Sequence, residues 1–408
     1  MRLHLLAVTL FCLLCSVAQG QYHFRVLHAF GSGTDGAGVW DSVTLDSTGN
    51  IYGTTSGGGL HKAGTVFRLA LGTNGHWKET IVHTFPSSPE DGGGPFSGVL
   101  LGTNATLYGM TMSLGSHDRG VAFSLAPVKN HWQEKILHSF CSRSNCDDGG
   151  APSGNLTIDP TGNLYGTGYV AFGLMPHRGG WSDTTLHDFT GQEGDGSGPQ
   201  AGPIRDGAGN LYGTTLGGGD TKDCSGGCGI VWELSPPAPD SGAKGWTEQI
   251  LHTFGVGDKL AFPGVGQLAM DSQGNLYGAV QGGQYRAGVI YKLSPASDAS
   301  EAEGLWGETI LYNFTGGDDG DFPEGVILDT TGNLYGITGN GGAYGEGVVF
   351  KLSPQPDGKW KYTLLHAFRG SDGAEPVGNP TLSPDGKLYG TAATGGPYGG
   401  GVVFQLTP

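Results

Sequence analysis

Gly332-Asn333-Leu334-Tyr335-Gly336 decides the fold, because the chain repeats it. Ile51-Tyr52-Gly53, Leu107-Tyr108-Gly109, Leu164-Tyr165-Gly166, Leu211-Tyr212-Gly213, Leu276-Tyr277-Gly278 and Leu388-Tyr389-Gly390 are the same element. The seven tyrosines are separated by 56, 57, 47, 65, 58 and 54 residues. Self-similarity at that period indicates a propeller, solenoid or array rather than independent domains.

The clearest copy runs from Pro323 to Phe368. Val326 to Asp329 reads as a short strand, and Thr330-Thr331-Gly332 as a tight turn. Asn333 to Thr338 is a second strand, followed by a glycine-rich loop from Gly341 to Gly347. Val348 to Leu352 is a third strand, stopped by Ser353-Pro354, and Trp360 to Phe368 is a fourth. Four short strands separated by turns, repeated, are the sequence pattern of propeller blades.

The fourth strand carries an aromatic residue six positions before a histidine. Trp77 and His83, Trp132 and His138, Trp181 and His187, Trp246 and His252, and Trp360 and His366 show it, and Trp306 stands in the same relation to Tyr312. Tyr22 and His28 form a seventh copy that precedes every other strand, while the chain ends on a third strand at Gly401 to Leu406. The half-blade offset predicts that the first strand completes the last blade, leaving no exposed blade edge. The expected fold is therefore all-β: a seven-bladed β-propeller of four-stranded blades, closed by the N-terminal strand. An open solenoid is the rival, but it has no need of the offset.

Bulk composition agrees. There are 79 glycines among 408 residues, recurring at fixed offsets between apolar runs, so they read as turn residues rather than disorder. Residues 1–20 read as a secretory signal: Arg2, an apolar run from Leu5 to Val17, and small residues at Ala18 and Gly20 before Gln21. The expected organisation is a leader at 1–20 and one propeller domain at 21–408. The expected location is outside the cytoplasm: secreted, periplasmic or associated with the cell surface. A formal charge of −16 argues against nucleic acid and anionic membranes as partners, and no later run is long enough to span a bilayer. In an exported chain, the close pairs Cys141 with Cys146 and Cys224 with Cys228 read as small disulfides pinning loops.

In propeller topology the loops between strands 2 and 3 share one face with the loops joining strand 4 to the next blade. The former hold His61, Lys62, His117, Arg119, Tyr285, Arg286, Tyr344 and Tyr398, the candidate ligand-binding residues. Such a set suits an acidic sugar. If the protein were an enzyme, His117, Arg119, Tyr285 and Arg286 would be the catalytic candidates, since a cation neutralises a uronate while His or Tyr moves protons. The 4–1 loops repeat Asp-Gly, read as turn chemistry in which the glycine takes positive φ. The fifth loop has Asp258-Lys259 instead. Asp147, Asp148, Asp318, Asp319 and Asp321 are dense enough in oxygen to make calcium the one metal worth considering. The repeated histidines read as structural, packing and bonding within each outer strand, because a catalytic site is normally built once. No G-x-S-x-G, H-E-x-x-H or P-loop motif occurs, and no organic cofactor is implied.

The pattern Pro-x-x-Gly, Asp-x-x-Gly-Asn-Leu-Tyr-Gly, Gly-Gly and Gly-Val-Val-Phe-x-Leu-Ser-Pro resembles the GloVer tandem repeat of exported bacterial "choice-of-anchor" proteins. It is also similar to NHL-type propeller repeats. The resemblance implies an exported or surface protein and no particular activity. The expected function is a binding or interaction module, monomeric, with a carbohydrate or protein ligand. A polysaccharide lyase or glycoside hydrolase is the alternative, and a purely structural envelope protein the third reading.

Overall fold

The computed structural model describes residues 22–408 apart from 89, 193, 223, 239–244, 256–258 and 296–305. The expected leader and Asp258 lie outside the described residues. Blade 6 consists of strands Asp321–Leu328, Leu334–Asn340, Val348–Pro354 and Trp360–Ala367, hydrogen-bonded in that order. Blades 1 to 5 repeat the order from first strands at Thr44–Leu45, Leu100–Leu101, Ser153–Ile158 and Ile204–Arg205. In blade 5 the first strand is split into Leu260–Pro263 and Ala269–Met270. The first strands surround a central channel. No α-helix occurs among the described residues.

The offset read from the sequence is how the ring closes. His23–Ala29 is the fourth strand of blade 7, outside Ala374–Leu382, Leu388–Thr394 and Val402–Thr407. It runs antiparallel to the last strand of the chain, from His23 opposite Thr407 to Ala29 opposite Val402. Both disulfides expected from spacing, Cys141–Cys146 and Cys224–Cys228, are formed.

The repeat is a self-contained hydrogen-bonding unit. Asp329 Oδ1 accepts from the backbone N–H of Thr331 (2.8 Å) and of Asn333 (2.9 Å), while Oδ2 accepts from Asn333 Nδ2 (2.8 Å). Gly332 closes the turn at φ 85°, where a side chain would be strained. Asp46, Asp159, Asp206 and Asp271 make equivalent turns and also accept from the Tyr hydroxyl six residues on, at 3.0–3.2 Å. The glycine after each Tyr serves a different end. A Cβ at Gly336 would lie 2.4 Å from Phe350 Cζ, because the third-strand ring lies flat across it. Gly53, Gly109, Gly166, Gly213, Gly278 and Gly390 meet Phe67, Phe123, Phe172, Trp232, Tyr291 and Phe404 in the same way.

The core lies between blades rather than within them. Seven buried clusters form, one at each interface. At each, the Phe ending one fourth strand packs against the third-strand ring of the next blade, as Phe85 does on Phe123 (5.2 Å between centroids) and Phe30 on Phe67 (4.9 Å). The fourth-strand Trp meets the repeat Tyr of the preceding blade, as in Tyr52–Trp132 and Tyr165–Trp246. The Trp ladder is thus interblade packing.

The turn aspartates make an acid-stability prediction. Burial is the largest single influence and raises the carboxyls of Asp46, Asp159, Asp271 and Asp329, but the several hydrogen bonds to the charged form together outweigh it and hold them below the usual range. A depressed folded pKa contributes stability that is full above the unfolded value, near 3.9, and is lost as pH falls through the folded value. Asp329→Asn is expected to lower the melting temperature at neutral pH. Its deficit relative to wild type shrinks below about pH 4, where the native carboxyls also take up protons. Melting curves from pH 7 to pH 2.5 check this, and a deficit that stays constant across the series contradicts it.

Candidate functional site

The 2–3 hairpins and the 4–1 loops do share one face, and they pair with one another. Gly36 lies opposite Gly58, Gly92 opposite Leu114, and Gly196 opposite Gly218 in two-stranded ladders. The Asp-Gly glycines are not uniform, as the turn reading had expected. Gly149, Gly320 and Gly373 have positive φ, whereas Gly36, Gly92 and Gly196 do not. At these three a Cβ would collide with the side chain of Thr55, Thr111 or Thr215.

Six of the seven 2–3 hairpins also bond to the 4–1 loop of the next blade, that of blade 7 accepting from Gly38 N at Gly400 O (2.9 Å). Gly94 N donates to Ala63 O (2.9 Å), Ala151 N to Arg119 O (2.9 Å), Phe262 N to Cys228 O (2.9 Å), Phe322 N to Ala287 O (3.2 Å) and Glu375 N to Glu346 O (3.2 Å). The donor residue in these loops has a left-handed backbone. Glycine occupies it at Gly38 and Gly94, but blades 5 and 6 place Phe262 (φ 60°) and Phe322 (φ 58°) there. A bulky residue in that region costs about 1–2 kcal/mol. Both rings are exposed, at 42% and 41%, so the strain holds two aromatic side chains out toward solvent.

At the centre of this face the channel opens into a cavity of about 340 Å³. Trp40, Phe96, Met112, Tyr169 and Val265 stand around it, each at least 37% exposed. Trp40 and Phe96 lie 6.1 Å apart between ring centroids. Tyr169 is the tip of the shortest hairpin, where blade 3 lacks the Gly-Gly loop and turns directly from Leu164–Thr167 into Val170–His177. The floor is polar. Asp41 accepts from Gly98 N (3.3 Å) and from Asn155 Nδ2 (3.1 Å), which reaches across from blade 3 to blade 1. Desolvation raises the Asp41 carboxyl pKa in spite of these bonds. Glu324, which accepts from the backbone of Val265, is pushed up to about 7 by burial. Below the waist, the channel widens on the other face into a larger funnel lined by Val43, Leu100, Leu156, Leu268, Ile327 and Leu382.

The residues read from the sequence stand farther out. His61, Lys62, His117, Arg119, Tyr285, Arg286, Tyr344 and Tyr398 are all exposed on hairpins of blades 1, 2, 5, 6 and 7, and other residues line the cavity. Arg119 comes nearest: Gly150 lies between it and Tyr169, its Cβ direction meeting the Tyr169 ring at 3.0 Å and Arg119 Cβ at 3.4 Å. Tyr344 lies beneath the Arg369 guanidinium at 5.1 Å. Of the calcium candidates, Asp148 and Asp319 bond within their own loops, accepting from Ser142 and from Thr315 respectively. Asp321 is held above the usual carboxylate range by burial, while Asp147 offers its backbone oxygen to Thr185.

The mouth residues were missed because the residue type at their position changes from blade to blade, as from Trp40 to Phe96 and Ser153. Trp40 and Phe96 differ from the loop residues of the other blades, and an aromatic beside a glycine-rich turn was the available clue.

The geometry defines a closed seven-bladed β-propeller with an aromatic-rimmed opening on one face. The chain belongs to the Gloeobacter/Verrucomicrobia repeat family, whose model matches residues 12–173 and 224–408. No curated protein matches it. Among solved structures it is similar to an ancestral GH74 enzyme, with 12% identity and a TM-score of 0.58 over 92% of this chain and 48% of that one. It is also similar to a polysaccharide lyase, with 12% identity and a TM-score of 0.49 over 96% and 94% of the chains. A third is the aldose sugar dehydrogenase of Streptomyces coelicolor in its PQQ-bound form, with 14% identity and a TM-score of 0.46 over 95% and 98%. At these identities the likeness shows the fold alone. Among the described residues, no helix is long and apolar enough to cross a membrane.

Proposed function

We propose that this protein is an exported binding module that takes a carbohydrate at the mouth of the propeller. The observation that carries the reading is the set of exposed side chains Trp40, Phe96, Met112, Tyr169 and Val265 around one concave, polar-floored cavity. Soluble proteins rarely leave a clustered apolar surface without a use, and a cavity with a few convergent polar groups is the usual form of a small-ligand site. Aromatic rings present flat apolar faces that fit the C–H face of a sugar ring. Asp41 at the floor supplies an acceptor for hydroxyls, held in place by Asn155, and Arg119 beyond Tyr169 supplies a cation for an acidic sugar. The outer residues His61, Lys62, His117, Tyr285, Arg286, Tyr344 and Tyr398 extend the contact for a polymer crossing the face.

The test is an affinity-gel and calorimetric panel of neutral and uronate-containing polysaccharides on the purified protein. Trp40→Ala and Tyr169→Ala are each expected to weaken binding about tenfold, the usual effect of truncating a central aromatic anchor. Lys62→Ala is expected to change it little. Retention that is unaltered in both aromatic variants contradicts the proposal, and absence of binding across the panel moves the face toward a protein partner.

One observation favours a second reading, a glycoside hydrolase. Asp41, which lines the opening, and Glu324, which accepts from the backbone of the lining residue Val265, are both raised by burial, as a general acid must be. Release of reducing ends during the same panel, lost in Glu324→Gln, would establish it.

A further inference from the structure

The repeated histidines do not bond within their own strands, as the sequence suggested. Each fourth-strand His turns toward the fourth strand of the next blade and, at His28, His83, His138, His187 and His366, toward an Asp of the following 4–1 loop. His83 Nε2 lies 3.7 Å from Asp91 Oδ2 and 3.5 Å from Glu134 Oε1. His28 Nε2 lies 3.2 Å from Asp35 Oδ2 and 3.7 Å from Glu79 Oε1. His187 Nε2 lies 3.1 Å from Asp195 Oδ1 and 3.5 Å from Glu248 Oε1. In each group the three ligand atoms lie within 4.8 Å of one another.

Hydrogen bonding accounts poorly for this arrangement. One imidazole nitrogen faces two carboxylates, yet it carries a single proton or a single lone pair. Separations of 3.5–3.7 Å are too long for an N–H···O bond. His83 Nε2, Glu79 Oε1, Glu134 Oε1 and Glu248 Oε1 each have under 1 Å² of exposed surface and meet no hydrogen-bond partner. His28 and His187 do bond to Asp35 (3.2 Å) and Asp195 (3.1 Å), so the defect common to the three interfaces is the unpartnered Glu oxygen; a buried polar atom without a partner is costly, and its recurrence points to a shared ligand.

The separations suit a metal. Four ligands at about 2.0 Å in a tetrahedron stand about 3.3 Å apart, and the His–carboxylate spacings bracket that value. One imidazole and two carboxylates form a nitrogen and oxygen donor set of borderline softness, and their two negative charges balance a dication.

Three of the other four interfaces behave as controls; at the fourth, His252 Nε2 lies 3.6 Å from Glu308 Oε1, and residues 256–258 of the following loop lie outside the described residues. At His138 the site is closed by protein groups: Asp148 accepts from Ser142 N (2.8 Å), Ser142 Oγ (2.7 Å) and His138 Nε2 (3.0 Å), and Asp183 pairs with Arg143. Where His is replaced by Tyr312, the carboxylate partner is replaced too, by Tyr362. The two rings stack at 4.9 Å, and both hydroxyls donate to Asp319, one to Oδ2 and one to its backbone oxygen (each 2.9 Å). Where Phe24 takes the carboxylate's place, it stacks on His366 at 3.6 Å. Thus the donors are either satisfied by protein groups, as at His138, or exchanged for a different packing, as at Tyr312 and His366.

We propose that His83–Asp91–Glu134, His28–Asp35–Glu79 and His187–Asp195–Glu248 each bind a divalent ion of the zinc type, clamping adjacent blades at the outer part of the ring. The test is zinc titration of the full protein after chelator treatment and dialysis, with bound metal counted by native mass spectrometry and melting followed in parallel. Wild type is expected to take up three equivalents and to melt higher with zinc. His83→Gln and the isosteric Glu134→Gln are each expected to lose one equivalent, and the loss in either folded variant suffices. Uptake equal in wild type and both variants, or no uptake at excess zinc, overturns the proposal and leaves the clusters as proton-sharing ion pairs.

Discussion

Gly336→Val is expected to be among the most damaging single substitutions in the chain. The added Cβ would lie 2.4 Å from Phe350 Cζ on one side and 2.8 Å from the Gly325 carbonyl oxygen on the other. Neither neighbour yields easily. Phe350 is fully buried and packs on Phe314 of the preceding blade at 5.1 Å, and Gly325 belongs to the first strand of the same sheet. Overpacking of this kind costs about 3 kcal/mol, and more where backbone must move. Gly307→Ala provides the comparison. Its Cβ meets nothing within 4 Å, so it is expected to stay within about 0.5 kcal/mol of wild type. Denaturant melts of both variants check the difference. Phe350→Leu is also expected to recover part of the loss in a Gly336→Ala background, because the two side chains compete for one volume. Equal stabilities of Gly336→Val and wild type would show that the ring can swing aside.

Removal of residues 22–30 is expected to have the other large effect. That segment supplies the outer strand of blade 7, and its register with Val402–Thr407 is, among the described residues, the only covalently distant pairing within any blade. Without it, blade 7 keeps three strands with a bare edge, and the interfaces on either side lose Leu27, Phe30 and Phe24. Burial of the first two alone is worth about 1.5–3 kcal/mol each. The naked edge is also a template for pairing with other chains. The shortened protein is expected to form oligomers or aggregates on size-exclusion chromatography, and a peptide of residues 22–30 added in trans is expected to reduce them. A monomer with an unchanged melting temperature would mean that the interblade cores hold the ring without strand closure.

The functional consequence of both variants is the same. The mouth is assembled from residues on six different blades, so anything that opens the ring scatters Trp40, Phe96, Tyr169 and Val265. Loss of ligand binding in those variants therefore reports on the fold, whereas loss in Trp40→Ala reports on the site.

What the sequence determined by itself is the repeat unit, the strand order and the closure. The Asp-x-x-Gly-Asn-x-Tyr turn is complete within seven consecutive residues, since the carboxylate bonds to groups two, four and six positions on. Contacts that local are written directly in the order of the residues. The Tyr-Gly and Phe positions of paired strands recur at one register because a ladder fixes which residues face each other, as Gly336 faces Phe350. The half-blade offset gave the closing strand for a similar reason: an unpaired edge at each end of the chain needs a partner.

Only the tertiary structure decided what the repeated side chains meet. His83 looks like a framework residue until Glu134, a residue of the next blade, is seen beside it. Tyr312 looks like a neutral exchange for His until Tyr362 is found stacked on it. The mouth is further from the sequence still. Asp41 and Asn155 are 114 residues apart and meet because the ring brings blades 1 and 3 to a common axis. Local propensity and strand register carry no information about that axis. Packing seven similar wedges side by side creates it, and with it the one concave surface where non-repeating aromatic residues gather.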